Sequence, residues 1–380
     1  MNGFCVGNYC RIQRLMLIKN QIKRLFFWVA NQLDVLTKIG FLMVFCLLFS
    51  LNVLASELSP STITANNVAV IVNVNDVNSV AIGDYYINAR NIPKKNLIAV
   101  DITSGIAALN ESEFKALHEK IFSNIGDDIE VIVLAWTRPY AVNCNAITAA
   151  ITLGYQAKQC EDSCAVGIKN PYFNSKSRNP KKDFNMRLSI LLPTDSIEVA
   201  KNIIDKGVLS SFKLNESTAY FLKTKDQARS KPREAFFPKD LTKVESKKLW
   251  IRTINADSIR DKKDVMFYFT GAVSVPYLET LNFMPGAVAD HLTSVGGVLV
   301  DGGQMSSLKW LEAGATGSFG SVSEPCNHWQ KFPNPAVLLT HYLAGETLIE
   351  AYWKSVYWPT QGLILGEPLA APYSAFTSSF

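Results

Sequence analysis

Residues 68–74 read VAVIVNV, a run with almost no polar alternation. A strand covered on both faces has this pattern, whereas a strand with one wet face alternates. Asn75 and Asp76 follow as turn and cap, residues 79–89 return to helical spacing, and Ile92-Pro93 stops them. Residues 97–102 are mostly apolar again, so the stretch from 68 to 102 is predicted to be a strand–helix–strand unit. The alternation continues with an amphipathic helix at 111–122 (ESEFKALHEKIF) and a buried strand at 129–135. A strand at 186–192, a helix at 196–208 and a strand at 218–223 follow. This order predicts a three-layer α/β domain, a mainly parallel sheet with helices on both faces.

Two polar stretches, 170–183 and 224–245, are predicted to be surface loops. After them, 265–269 predicts a strand ending in Thr270-Gly271, 285–294 a short helix and 297–300 a strand. Residues 305–313 predict a helix, and 337–356 a long amphipathic helix with Gly345 inside it. The runs at 68–74, 97–102, 129–135 and 265–269 are each apolar on both faces, so they are expected as neighbouring strands. No internal repeat, heptad pattern or low-complexity tract interrupts the 56–380 region, which predicts one α/β domain.

The first 55 residues read differently. Residues 39–55 are an uncharged apolar run preceded by Lys38, with Val53 and Ala55 placed as a small-residue cleavage pair before Ser56. That is the layout of a signal peptide behind a polar leader, and the run is short for a membrane span. Export to the periplasm or beyond is expected, with membrane contact only through the uncleaved signal. The leader also holds six basic residues and one acidic one, so the remaining chain is balanced at 32 of each. A neutral domain lacks the long-range field that nucleic-acid binding needs, which excludes that partner class. Exported or envelope proteins are the partners expected instead.

Four of the seven cysteines lie beyond the leader: Cys144, Cys160, Cys164 and Cys326. In an oxidising compartment they allow disulfides, with three pairings open. Asp290-His291 and the run Glu324-Pro325-Cys326-Asn327-His328 concentrate carboxylate, imidazole and thiol. A His beside a Cys raises its thiolate fraction, so Cys326, His291 and Asp290 are the candidate catalytic set. Against it, neighbours on a helix point about 100° apart, so Asp290 does not simply orient His291. Arg138 follows a buried strand, where α/β sheets place ligands, and it joins Gln304, Glu324 and His328 as a candidate ligand-binding residue. All but Arg138 are expected to gather at one end of the sheet. Three ligands on one loop make a poor zinc site, and no metal is expected. The glycines of GATGSFGSVS at 314–323 match neither dinucleotide nor P-loop patterns, so no cofactor is expected.

The segments AWTRPYAVNC, PGAVADHLTSVGG, QMSSLKWLEAGATGSFGSVSEPCNHWQKFP and GETLIEAYWKSVYWPTQGLILGEPLA resemble an uncharacterised secreted bacterial family associated with exosortase-bearing genomes. The resemblance runs over nearly the whole chain after the leader and implies no assigned activity. The order of elements and the closing Gly366-Glu367-Pro368 also resemble gingipain-type cysteine peptidases with a caspase-like fold. In those peptidases a His-Gly pair ends one strand and a Cys ends the next; here the strand ends in Thr270-Gly271, and no His-Gly occurs. Two readings follow: a non-catalytic or cryptic member of that fold, or a thiol hydrolase using Cys326 and His291.

Overall fold

Strand β1 (Val68–Asn73) is buried at every position, and β2 (Leu97–Val100) lies parallel to it across the helix Val77–Arg90. The computed structural model describes residues 63–211 and 214–374, so the predicted signal peptide and leader lie outside the described residues. Asp76 caps the first helix by accepting from Asn78 N, and Asn91 ends it in the left-handed region. The chain then forms β3 (Ala108–Leu109), the helix Glu111–Phe122, β4 (Val131–Ala135), β5 (Ala141–Val142) and β6 (Asn145–Ala146). The helix Ile147–Leu153 leads through the cysteine loops to β7 (Leu188–Leu191).

The helix Ile197–Leu209 leads on to β8 (Ser217–Lys223), β9 (Thr242–Val244), β10 (Leu249–Asn255), β11 (Val265–Gly271) and β12 (Phe283–Leu292). The last strands are β13 (Gly317–Ser321) and β14 (Gly362–Gly366). Eleven of these strands form one sheet in the order β2-β1-β4-β7-β14-β13-β12-β11-β8-β10-β9. Pairing is parallel from β2 to β14 and again from β13 to β10; the joint β13–β14 and the edge β9–β10 are antiparallel. The antiparallel joint between β13 and β14 lies near the middle of the sheet. The joint takes five registered pairs, from Gly317 with Gly366 to Ser321 with Gly362.

Helices cover both faces, as the unalternating strands require. Val70, Val133 and Ile190 share one face by register, and Val72 on that face meets Gly83 of the first helix. On the other face, Ser189 donates to Thr148 O of the helix Ile147–Leu153 over 2.5 Å.

Five readings of the sequence are corrected. Residues 285–294 are not a helix but most of β12, and 297–300 are not a strand but part of the loop after it. The run GAVADHL is short and apolar, and periodicity alone does not separate a buried strand from a buried helix. The region 337–356 is two helices, Pro335–Leu343 and Leu348–Ser355, broken where Gly345 takes φ 82°. The polar stretch at 224–245 contains the helix Gln227–Glu234. Finally, β11 shares the sheet with β1, β2 and β4 but is separated from them by β7, β14, β13 and β12.

Candidate functional site

Because Asp290 and His291 lie on a strand, their side chains point to opposite faces. Register confirms the split, since Phe269 pairs with Asp290 and Thr270 with His291. On the Asp290 face, Arg233 from the helix Gln227–Glu234 donates Nη1 to Asp290 Oδ1 over 2.5 Å and Nη2 to Thr270 O over 2.7 Å. Its guanidinium lies 5.5 Å from the Phe269 ring. Both members of the pair are 1% exposed. Burial pushes the Asp290 carboxyl up to about 6, against the opposing pull of Arg233.

On the other face His291 is held at both nitrogens. Trp310 donates its indole N–H to Nδ1 over 2.9 Å, which leaves the ring proton on Nε2, and Nε2 donates to Met305 O over 3.0 Å. Burial pushes the imidazole down to about 3. A neutral ring with both nitrogens engaged has no lone pair left to take a proton from a nucleophile.

What His291 does is hold a wall. Met305 receives its bond at the carbonyl, donates its own N–H to Val273 O over 3.1 Å, and accepts Val275 N at sulfur over 3.3 Å. One residue thus joins the β11–β12 connection to the β12–β13 connection. Between these connections lies a cavity of about 670 Å³, the place beyond strand ends where α/β sheets take ligands. Apolar walls come from Val275, Leu278, Val298 and Met305.

Its charged residues are Glu279, Asp301, Lys309 and Glu312, with Lys309 paired to Glu312 over 2.6 Å. The lining is therefore acidic in balance. Gln304 is fixed there with Oε1 accepting from Thr293 Oγ1 over 2.6 Å and from Val295 N over 3.1 Å. An N–H can only donate, so the atom facing Val295 N is Oε1 and not the amide nitrogen.

Cys326 is not at this cavity and is not a thiol. It is bonded to Cys164, as Cys144 is to Cys160, with Cα atoms 5.3 Å apart in each pair. All four cysteines among the described residues are thus paired, and a disulfide sulfur carries no thiolate to attack with. The segment after β13 packs toward the Asp290 face, with Trp329 on Phe236 at 4.7 Å and Phe332 beneath Arg233 at 5.9 Å. The expected set Cys326, His291 and Asp290 is therefore corrected. The acid and the imidazole face opposite ways, and the sulfur is covalently occupied.

Glu324 is exposed and accepts from Cys326 N over 2.7 Å, a local turn contact. His328 is exposed, edge-on to Trp358 at 6.0 Å. Arg138 lies beyond β4, 3.7 Å from Asp195, and is not among the residues that line the cavity. Of the sequence candidates, only Gln304 lines the cavity and only His291 supports it. Among the described residues no three His, Cys, Asp or Glu side chains gather as metal ligands.

Arg233, Trp310, Met305 and Thr293 were not legible as site residues. Arg233 sits in a charged run that looks solvated, and the only local hint of a helix there was Asp226, which caps it by accepting from Arg229 N.

No protein-family model matches the chain, and no curated protein does. Among solved structures it is similar to that of a protease, at 11% identity and a TM-score of 0.44, over 84% of this chain and 81% of that one. It is similar to the Arg-specific cysteine proteinase gingipain R at 10% identity and a TM-score of 0.41, over 82% and 80%. A complex of pro- and mature domains of Porphyromonas gingivalis RgpB follows at 9% identity and 0.38, over 80% and 79%. At these values the likeness says nothing about which residues act.

Proposed function

We propose that this is an exported, non-catalytic binding protein on a gingipain-like fold, and that the cavity between the β11–β12 and β12–β13 connections takes a cationic side chain of an exported or envelope protein. The observation that carries the reading is His291. Its two nitrogens are spent on Trp310 and Met305, so the ring serves to shape the cavity rather than to move protons. Asp301 and Glu279 offer exposed carboxylates to a cation, and the Gln304 amide offers donors to a carbonyl of the same ligand. Two disulfides are consistent with export, because such bonds persist in oxidising compartments.

The test is a binding titration with Nα-acetyl-lysine methylamide beside its Nε-acetylated, uncharged form, followed by amide chemical shifts. The charged compound should shift resonances of residues 274–279 and 301–306, the neutral one should not, and Asp301→Asn with Glu279→Gln should abolish the response. Equal responses to both compounds, or an unchanged response in the double variant, would sink the proposal.

A further inference from the structure

The two disulfides share the loop at 156–164 but differ in what surrounds their sulfurs. Cys160 and Cys164 are both exposed, so access does not distinguish them. Three donors converge on Cys160 Sγ: Cys144 N at 3.4 Å, Asn145 Nδ2 at 3.6 Å and Tyr155 Oη at 3.7 Å. Each is oriented by a further bond. Asn145 Oδ1 accepts from Gln156 N over 2.9 Å, which turns Nδ2 toward the sulfurs. Tyr155 Oη accepts from Asn143 Nδ2 over 2.8 Å, which leaves its own proton for Cys160. Asn145 Nδ2 also lies 3.3 Å from Cys144 Sγ. No hydrogen bond reaches the sulfurs of Cys164 or Cys326 among the described residues. The charged neighbours Lys158, Glu161 and Asp162 are exposed, and Asp162 is turned to Cys164 N over 2.9 Å.

Donors aimed at a sulfur stabilise it as a thiolate, and a stabilised thiolate leaves faster in exchange. We infer that Cys144–Cys160 is a redox-active disulfide that exchanges with thiols of small molecules or exported proteins, with Cys160 as the leaving sulfur. An incoming thiolate attacks Cys144 Sγ and forms a mixed disulfide. The Cys144–Cys160 bond breaks, and its electron pair stays on Cys160 Sγ, held by the three donors. A second thiolate then attacks the incoming sulfur and releases Cys144 as a thiolate. Two thiols are oxidised to one disulfide, and both protein sulfurs take protons from water. Cys164–Cys326 stays closed and keeps the loop anchored. This inference is independent of the cavity.

The test exposes the folded chain to a glutathione series, quenches in acid, alkylates, and reads each cysteine by mass spectrometry. Cys144 and Cys160 should become alkylated about tenfold faster than Cys164 and Cys326. At limiting glutathione the first adduct should sit on Cys144. Tyr155→Phe and Asn143→Ala should each slow opening about threefold with an unchanged circular dichroism spectrum. Simultaneous opening of both disulfides, a first adduct on Cys160, or wild-type rates in both variants would each overturn the assignment.

Discussion

The indole N–H of Trp310 points at Nδ1 of His291 over 2.9 Å, and that one bond sets which nitrogen of the histidine carries the proton. The ring stays neutral in the folded protein down to about pH 3, whereas an unfolded histidine takes a proton below about 6.5. Stability contributed by His291 is therefore complete above about pH 6.5 and is lost as pH falls through that window, by about 1.4 kcal/mol per unit. Asp290 works the other way. Its carboxyl, raised to about 6 from an ordinary 3.8, holds a proton longer in the folded state, so its contribution falls as pH rises from about 4 to 6. The two slopes oppose each other there. His291→Gln should expose the Asp290 slope, so urea unfolding of variant and wild type should diverge by about 1.4 kcal/mol per pH unit between about pH 4 and 6. Parallel curves would show that His291 titrates normally.

Arg233 and Asp290 are a buried pair, and removing one partner leaves the other charged and dry. Arg233→Met should cost about 3–5 kcal/mol, while Arg233→Met with Asp290→Leu should recover most of the loss. Chemical denaturation of the three proteins measures both effects. A double variant no better than the single would mean that the arginine matters through its bond to Thr270 O instead.

Gly271 ends β11 against the backbone of Arg229 and Ser230, where any Cβ would collide with main-chain atoms. Backbone does not yield as a flexible side chain does, so Gly271→Ala should destabilise the protein by about 1–3 kcal/mol. The helix Gln227–Glu234 carries Arg233, so this variant should also loosen the Asp290 pair. Amide exchange at residues 227–234 checks the linkage, and unchanged protection there would refute it.

The fold was largely legible because strands buried on both faces leave unbroken apolar runs, and β1, β4 and β11 have them. The antiparallel joint was not, because it depends on β13 pairing with β14 across the helices between them. Asp290-His291 gave no sign of its geometry for a similar reason. Arg233 is 57 residues from Asp290, and Trp310 is 19 from His291, so neither partner stands in the local pattern. Cysteine spacing left three pairings open, and spatial neighbours alone choose among them.

That choice has a measurable consequence for stability. Cys164–Cys326 closes 162 residues, while Cys144–Cys160 closes 16. If cross-links act by restricting the unfolded chain, the loss grows with the logarithm of loop length. Replacing both members of a pair by serine should then cost about 5 kcal/mol for Cys164–Cys326 and about 3 kcal/mol for Cys144–Cys160. The long bridge also fastens the loop at 156–164 to the segment after β13, where Lys331 Nζ donates to Ser163 O over 2.6 Å. Its loss should therefore raise amide exchange at 158–168 and 323–332 together, whereas loss of the short bridge should affect the first region alone. Equal stabilities in the two serine variants would argue that local contacts such as Lys331, rather than chain entropy, hold these loops in place.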